Sequence, residues 1–169
     1  MKTIIKKILR FFGLQIRRIP RNFNLHPKNE EEILSKIIKN KEPVILDVGA
    51  NNGASISRFE KLFINPKILS FEPLPEQFRE LKKFENENVE IFNFALGDKN
   101  EIKNFYVNEK HDTSSFLKIK SGTEWLKKRA KVFNVNEEKF TKSEIKVKVK
   151  KLDDILISKN IEKIDLLKI

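Results

Sequence analysis

The stretch from Pro43 to Gly53, PVILDVGANNG, constrains the fold of this chain more than any other. Its apolar first half predicts a buried β-strand, and its glycine and asparagine residues predict a tight turn before a helical pattern. A second apolar run, from Lys67 to Phe71, also leads into an acid, Glu72. In open parallel sheets, ligands bind where a glycine turn bares the backbone at the carboxyl ends of the strands, and an acid after the next strand can accept ribose hydroxyls. The two stretches therefore predict an α/β fold with a site for a nucleoside cofactor.

The residues of the turn distinguish between two classes of nucleoside cofactor. A dinucleotide fold needs G-x-G-x-x-G, whose middle glycine lets the backbone approach a pyrophosphate. In the register that starts at Gly49, Asn51 replaces the middle glycine and Ala54 the third. The Asn51 side chain would crowd a pyrophosphate, and the Asp47 carboxylate would repel it. S-Adenosylmethionine (SAM) has no phosphate and carries positive sulfonium and ammonium groups, which Asp47 would attract, so we expect SAM.

Five sets of residues follow one another along the chain: Asp47–Gly53, Phe71–Pro73 with Pro75 and Phe78, Ala95–Asp98, Ser114–Phe116, and Val149–Leu156 with Ile164–Ile169. In this order they resemble the FkbM family of SAM-dependent methyltransferases. The resemblance extends from Pro43 to Ile169, and it implies a Rossmann-like class I methyltransferase fold. It also implies methyl transfer to a hydroxyl of a sugar, a polyketide or another glycan-related small molecule.

The strand ends and the resemblance together give the candidate cofactor-binding residues. We expect Asp47 at the turn or at the amino-acid end of the cofactor, or else bonded to backbone N–H groups as a cap of the turn. Glu72 is expected at the ribose, with a solvated strand end as the alternative. Ala95, Leu96 and Asp98 are expected near the adenine, or they form an ordinary turn. The full set is Asp47, Gly49, Ala50, Asn51, Asn52, Gly53, Glu72, Ala95, Leu96, Asp98, Ser114 and Ser115.

The sequence does not identify a catalytic base. His111 is a weak candidate to deprotonate a hydroxyl substrate, since a lone loop histidine is usually not catalytic. Ser114 and Ser115 border the cofactor if the resemblance holds and are otherwise loop hydroxyls. The chain has no cysteine and 2 histidines, which excludes thiolate zinc sites and argues against a histidine metal cluster. We therefore predict no metal site, and the missing cysteines are compatible with a cytoplasmic protein.

The positive charge is concentrated at the start of the chain. The net charge is +11, and residues 1–28 contain eight lysines and arginines and no acid. Ile4, Ile5, Ile8 and Leu9 are among the apolar residues on one half of a helical wheel, opposite the basic ones, as in an interfacial amphipathic helix. We predict a basic helix and linker at 1–28 and a SAM-binding domain at 29–169. Residues 1–21 could contact the inner face of a membrane, pack on the domain or a partner subunit, or bind RNA.

Hydrophobic periodicity predicts the remaining elements. Strands are predicted at 44–48, 68–71, 89–95 and 164–169, and helices at 30–40, 54–63 and from Pro75. Strands at 102–107 and 144–149 should pair antiparallel around a polar excursion with a short helix near 124–133. A helical turn at 153–158 should precede the last strand. Together these predict a doubly wound, mostly parallel sheet in the order 3-2-1-4 with an inserted antiparallel strand pair.

The last predicted strand stops at Ile169, before the acid and the glycine turn that follow it in the family. We therefore expect a C-terminally truncated domain whose sheet is incomplete beyond the fourth strand. A SAM-dependent O-methyltransferase is the favoured function, and a truncated remnant without catalytic activity is the alternative. An RNA methyltransferase ranks last, because the nearly balanced charge of residues 29–169 lacks the interleaved basic and aromatic residues of a nucleic-acid groove.

Overall fold

The computed structural model describes residues 30–169, so the predicted basic helix and linker at 1–28 lie outside the described residues. The chain divides into two compact units, residues 1–37 and 38–169. The described part of the first unit is helix α1 (Glu30–Ile37). This helix is shorter than the predicted 30–40. Asn40 lies beyond it and accepts the backbone N–H of Glu42 through its side chain, a local bond that competes with helix continuation.

The second unit is built on a parallel sheet of four strands. These are β1 (Val44–Val48), β2 (Lys67–Phe71), β3 (Val89–Phe92) and β7 (Leu166–Lys168), in the order β3-β2-β1-β7. All three pairings are parallel, which confirms the predicted order and the α/β fold class. The carboxyl ends of β1 and β2 therefore lie side by side, with Val48 opposite Phe71 in the register. This edge positions the turn after β1 next to the acid after β2.

Helices connect the parallel strands, as parallel pairing requires. Helix α2 (Ala54–Leu62) follows β1 and buries Ile56 and Phe59, which are three residues apart and so lie on one helical face. Helix α3 (Pro75–Leu81) follows β2 and begins with Pro75, whose missing N–H costs nothing in the first turn. Helix α5 (Leu152–Ser158) precedes β7.

One face of the parallel sheet packs against α5. Leu46, Leu69 and Phe71 form a buried cluster with Phe94 and with Ile155 of α5. Each of these side chains is at most 8% exposed, so each contributes about 1.5–3 kcal/mol of hydrophobic stabilisation. The cluster includes Phe71, the last residue of β2, and so packs the carboxyl end of this strand into the core.

A second sheet of three strands contains the predicted antiparallel pair. Strands β5 (Glu101–Asn108) and β6 (Thr141–Lys151) pair antiparallel, and β4 (Ala95–Gly97) pairs parallel with β6. The prediction of one strand at 89–95 is wrong, because β3 ends at Phe92 and β4 begins in the other sheet. Between them, the Asn93 side chain donates to the carbonyls of Glu72 and Pro73. An apolar run does not reveal where a chain leaves one sheet for another.

The second sheet packs against the loop after β2. Phe105 of β5 and Val147 of β6 form a buried cluster with Leu74, which lies two residues after Glu72. The lysines of β6 alternate with these buried residues and face solvent, as the period of two predicted. Helix α4 (Glu124–Phe133), between β5 and β6, packs Leu126 and Ala130 on Phe140. Among residues 30–169, no helix is long and apolar enough to cross a membrane.

Candidate functional site

The turn after β1 has an unusual backbone that β2 holds in place. Gly49, Asn51 and Gly53 have positive φ angles of 73°, 49° and 80°. The N–H groups of Gly49 and Ala50 both donate to the carbonyl oxygen of Phe71, at 2.9 and 3.2 Å. The turn is therefore anchored to the end of the neighbouring strand by hydrogen bonds of its own backbone.

The two glycines of this turn are required for different reasons. A Cβ at Gly53 would overlap the ring of Phe84, so a side chain is excluded by packing as well as by φ. A Cβ at Gly49 would meet no heavy atom within 4 Å. The space in front of Gly49 is open, and a side chain there would project into it.

Glu72 joins the end of β2 to the turn. Its side chain is 4% exposed, and its Oε2 accepts the backbone N–H of Asn51 at 2.8 Å. Its Oε1 accepts the backbone N–H of Leu74 at 2.9 Å. Burial raises the pKa of Glu72, and the bonds from Leu74 and Asn51 oppose that rise. Each carboxylate oxygen has two lone pairs, so each retains one for a further donor such as a hydroxyl.

Asp47 is fully buried and forms an ion pair with Lys168 on the neighbouring strand β7. Its Oδ1 lies 3.0 Å from Nζ of Lys168. Neither oxygen of Asp47 accepts a backbone N–H among the described residues, so Asp47 does not form the cap of the turn that the sequence left as the alternative. Burial raises the pKa of Asp47, and Lys168 opposes the rise by hydrogen bonding and by charge.

The ion pair corrects the electrostatic argument drawn from the sequence. We expected the Asp47 carboxylate to attract a positive cofactor and to repel a pyrophosphate. Because Lys168 neutralises Asp47 at contact distance, the pair has little net charge to act on a ligand. The charge of Asp47 therefore does not distinguish the two cofactor classes, whereas Asn51 still stands where a dinucleotide fold has glycine.

A cavity of about 310 Å³ opens at the carboxyl ends of β1 and β2. This volume lies at the lower end of the range of small-molecule sites. One wall comes from the parallel sheet and its loops, and the other from β4, β5 and the segment after β5. Its lining residues are Val48, Gly49, Phe71, Glu72, Pro73, Leu74, Ala95, Leu96, Phe105, His111, Asp112, Ser114, Ser115, Phe116 and Ile169.

The cavity brings together residues that lie far apart in the sequence. Of the predicted site residues, its wall includes Gly49, Glu72, Ala95, Leu96, Ser114, Ser115 and the weak candidate base His111. The remaining ones lie outside the lining. Asp47 and Ala50 are buried, and Asn51 and Gly53 shape the turn. The side chain of Asn52 accepts the N–H of Ala54 at the start of α2, and Asp98 is exposed after β4.

The wall opposite Glu72 carries the polar side chains. His111 begins a short 3₁₀ helix, His111–Thr113, and its Nδ1 contacts the side-chain amide of Gln77. Gln77 is 6% exposed and lies on α3, the helix that starts three residues after Glu72. The hydroxyl of Ser114 accepts the N–H of Asn108 at 3.0 Å. The contact of His111 with Gln77 and the hydrogen bond from Asn108 to Ser114 therefore orient the polar side chains of this wall.

Several residues of the site were not predicted from the sequence. Lys168 was assigned only to a strand, although its strand was predicted next to β1, where a lysine could meet Asp47. Gln77 gave no signal, because an exposed and a buried glutamine look alike in a helical pattern. Phe105 and Phe116 contact each other edge to face, with ring centroids 5.0 Å apart, and form the apolar end of the cavity. Aromatic residues in a strand predict packing, not a ligand wall.

A family model described as the methyltransferase FkbM domain matches residues 47–169, well over half of the chain. The matched region includes the turn, Glu72 and every residue of the cavity wall named above. Neither the search of the curated proteins nor the search of the solved structures found a match. Among residues 30–169, no group of three or more His, Cys, Asp or Glu side chains could hold a metal ion.

Proposed function

This chain belongs to the FkbM methyltransferase family, and we propose that it transfers the methyl group of SAM to a hydroxyl of a sugar, a glycan or a related small molecule. The observation that carries this proposal is the shared cavity. Its lining combines the glycine backbone and the strand-end acid expected of a nucleoside site with His111 and two serines on the opposite wall. A small hydroxyl compound fits such a lining, which is concave and mainly apolar with a few polar groups.

The residues present fit the nucleoside part of SAM. Glu72 has a free lone pair on each oxygen, which suits a pair of ribose hydroxyls. The open space in front of Gly49 lets a ligand approach bare backbone. Ala95 and Leu96 provide an apolar wall for the adenine. When bound, SAM supplies a methyl group already activated by a positive sulfonium.

The residues outside the lining support the site indirectly in this proposal. Asn51 donates its backbone N–H to Glu72. Gly53 is the N-cap residue of α2, at a position where a side chain would overlap Phe84. Ala50 anchors the turn to β2 through its N–H. Asp98 is exposed and does not line the cavity, so it is assigned no role in this proposal.

His111 is the proposed acceptor of the substrate proton. The acceptor hydroxyl must lose a proton as its oxygen bonds to the methyl carbon and the bond from sulfur to that carbon breaks. Among the ionisable side chains of the cavity wall, Glu72 is assigned to the ribose hydroxyls and to two backbone N–H groups. Asp112 pairs with Lys110 at 2.9 Å. Gln77 contacts the ring of His111 at Nδ1. Nε2 accepts the substrate proton in the tautomer whose Nδ1–H donates to the side-chain oxygen of Gln77, which requires the amide orientation opposite to the one in the structure.

Titration calorimetry with SAM tests the cofactor half of the proposal. We expect saturable binding to the unaltered chain and at least tenfold weaker binding to Glu72→Ala, with the exposed Glu76→Gln as the matched control. A folded sample that does not bind SAM would refute the proposal. Formation of S-adenosylhomocysteine in the presence of a panel of sugars and glycosides tests the acceptor half. With an active acceptor, His111→Gln should lower turnover without changing SAM affinity.

A further inference from the structure

Lys168 holds the turn after β1 from the side opposite β2. It is paired with Asp47 in the register of the parallel strands β1 and β7. Its Nζ lies 3.0 Å from Oδ1 of Asp47, 2.9 Å from the carbonyl oxygen of Gly49 and 3.4 Å from that of Val48. The ammonium group therefore donates hydrogen bonds to the two carbonyl oxygens and forms an ion pair with the carboxylate.

The turn is therefore bonded to both strands that flank β1. On the β2 side, its N–H groups donate to Phe71 and to Glu72. On the β7 side, its carbonyl groups accept from Lys168. Gly49 has a φ of 73°, which is only one of the many conformations open to an unconstrained glycine. Interactions with both neighbouring strands select this one conformation.

We propose that Lys168 is a positioning residue for the cofactor turn, which it holds in its binding conformation through the carbonyls of Val48 and Gly49. The part of this proposal that concerns SAM rests on the proposed function. A bare counterion would need only Asp47, whereas Lys168 also contacts two backbone oxygens of the turn. Loss of Lys168 should therefore impair binding even when no buried charge is left unpaired.

A matched pair of variants separates positioning from charge balance. Asp47→Asn removes the buried charge and leaves the Lys168 ammonium on the two carbonyls. Asp47→Asn with Lys168→Met also removes the ammonium, and methionine has similar length and no donor. Asp47→Asn leaves a Lys168 ammonium that is 30% exposed and has the two carbonyls as its partners, and the double variant contains neither charge. Neutral replacement of a buried ion pair is often tolerated. Asp47→Asn with Lys168→Arg restores donors, and Asp47→Asn with Lys148→Met is the control on an exposed lysine.

Three measurements decide the proposal: urea denaturation, SAM affinity by calorimetry, and hydrogen exchange of the amides of residues 49–51 without cofactor. Relative to Asp47→Asn, we expect the Lys168→Met double variant to have similar stability, at least tenfold weaker SAM binding and at least tenfold faster exchange at 49–51. The arginine variant should recover part of both effects. Equal SAM affinity and equal exchange in the matched pair would make Lys168 a counterion only and overturn the proposal.

Hydrogen exchange also keeps the proposal testable apart from the cofactor and from the variants. If the unaltered chain does not bind SAM, the proposed function fails, and exchange at 49–51 in the matched pair still decides the role of Lys168. If the double variant does not fold, the unaltered chain tests the premise that the turn is held, through the Gly49 amide that donates to Phe71. Its Gly49 amide should exchange far more slowly than that of Gly122, an exposed glycine with a similar φ of 75°. Equal rates would show that the turn is not held and would overturn the proposal.

Discussion

Replacement of Glu72 tests how the end of β2 holds the turn. Glu72→Gln preserves the shape of the side chain but changes one oxygen into an NH₂ group. In the structure, each oxygen accepts one backbone N–H, from Asn51 and from Leu74. Glutamine can accept only one of them, and its NH₂ group would then face the other donor. Glu72→Ala removes both acceptors.

The magnitude follows from the donors left without a partner. A buried donor that loses its acceptor costs about 1–3 kcal/mol. Burial raises the pKa of Glu72, so the neutral amide avoids part of the cost of burying a charge. We therefore expect Glu72→Gln to lower the free energy of unfolding by about 1–2 kcal/mol. Glu72→Ala should lower it by about 2–4 kcal/mol, since water from the cavity can reach part of the space.

Urea denaturation at pH 7, read by circular dichroism, measures both values, and Glu76→Gln on the exposed face of α3 controls for the loss of charge. The same samples give SAM affinity by calorimetry, where a tenfold loss corresponds to about 1.4 kcal/mol. Stability of Glu72→Gln equal to that of the unaltered chain would refute the argument that the two backbone bonds hold the turn. A loss of stability without a loss of SAM affinity would separate that structural role from the proposed ribose contact.

Three further perturbations test other parts of the argument. Gly53→Ala should lower the free energy of unfolding by about 1–3 kcal/mol for its φ of 80° and by a further amount for the overlap with Phe84. Gly122→Ala has open space around it and should lose only the part due to the backbone conformation. Equal losses for the two variants in thermal denaturation would contradict the packing argument. Because burial raises the pKa of Asp47 above its ordinary value, the folded state binds more protons than the unfolded state between the two values, and this carboxyl therefore costs stability as the pH rises through that window. The stability of Asp47→Asn relative to the unaltered chain should accordingly increase from about pH 4 upward, and a difference that does not change with pH would contradict the direction of the shift. We also propose that residues 1–21 contact anionic membranes: the full chain should co-sediment with phosphatidylserine vesicles at low salt and a chain lacking 1–21 should not, whereas equal sedimentation would exclude this contact.

The sequence determined the parallel core and the place of the site because both depend on local patterns. Apolar runs of strand length predicted β1, β2 and the order of the main sheet, and the structure confirms that order. The glycine turn could be predicted because few residues other than glycine tolerate a positive φ. The acid after β2 could be predicted because a charged residue interrupts the apolar run of a buried strand. Strict alternation of lysine with valine predicted the strand β6 in the same way.

Only the tertiary structure decided which residues meet, because contacts between distant segments depend on register and on where the chain changes sheets. The pairing of Asp47 with Lys168 follows from the register of β1 and β7, and it cancels the charge on which the sequence argument for a positive cofactor relied. The contact of Gln77 with His111 depends on how the second sheet packs against the loop after β2. Residue type and spacing set which chemistry is available at this site, and the packing of the two sheets sets which of those groups can act together.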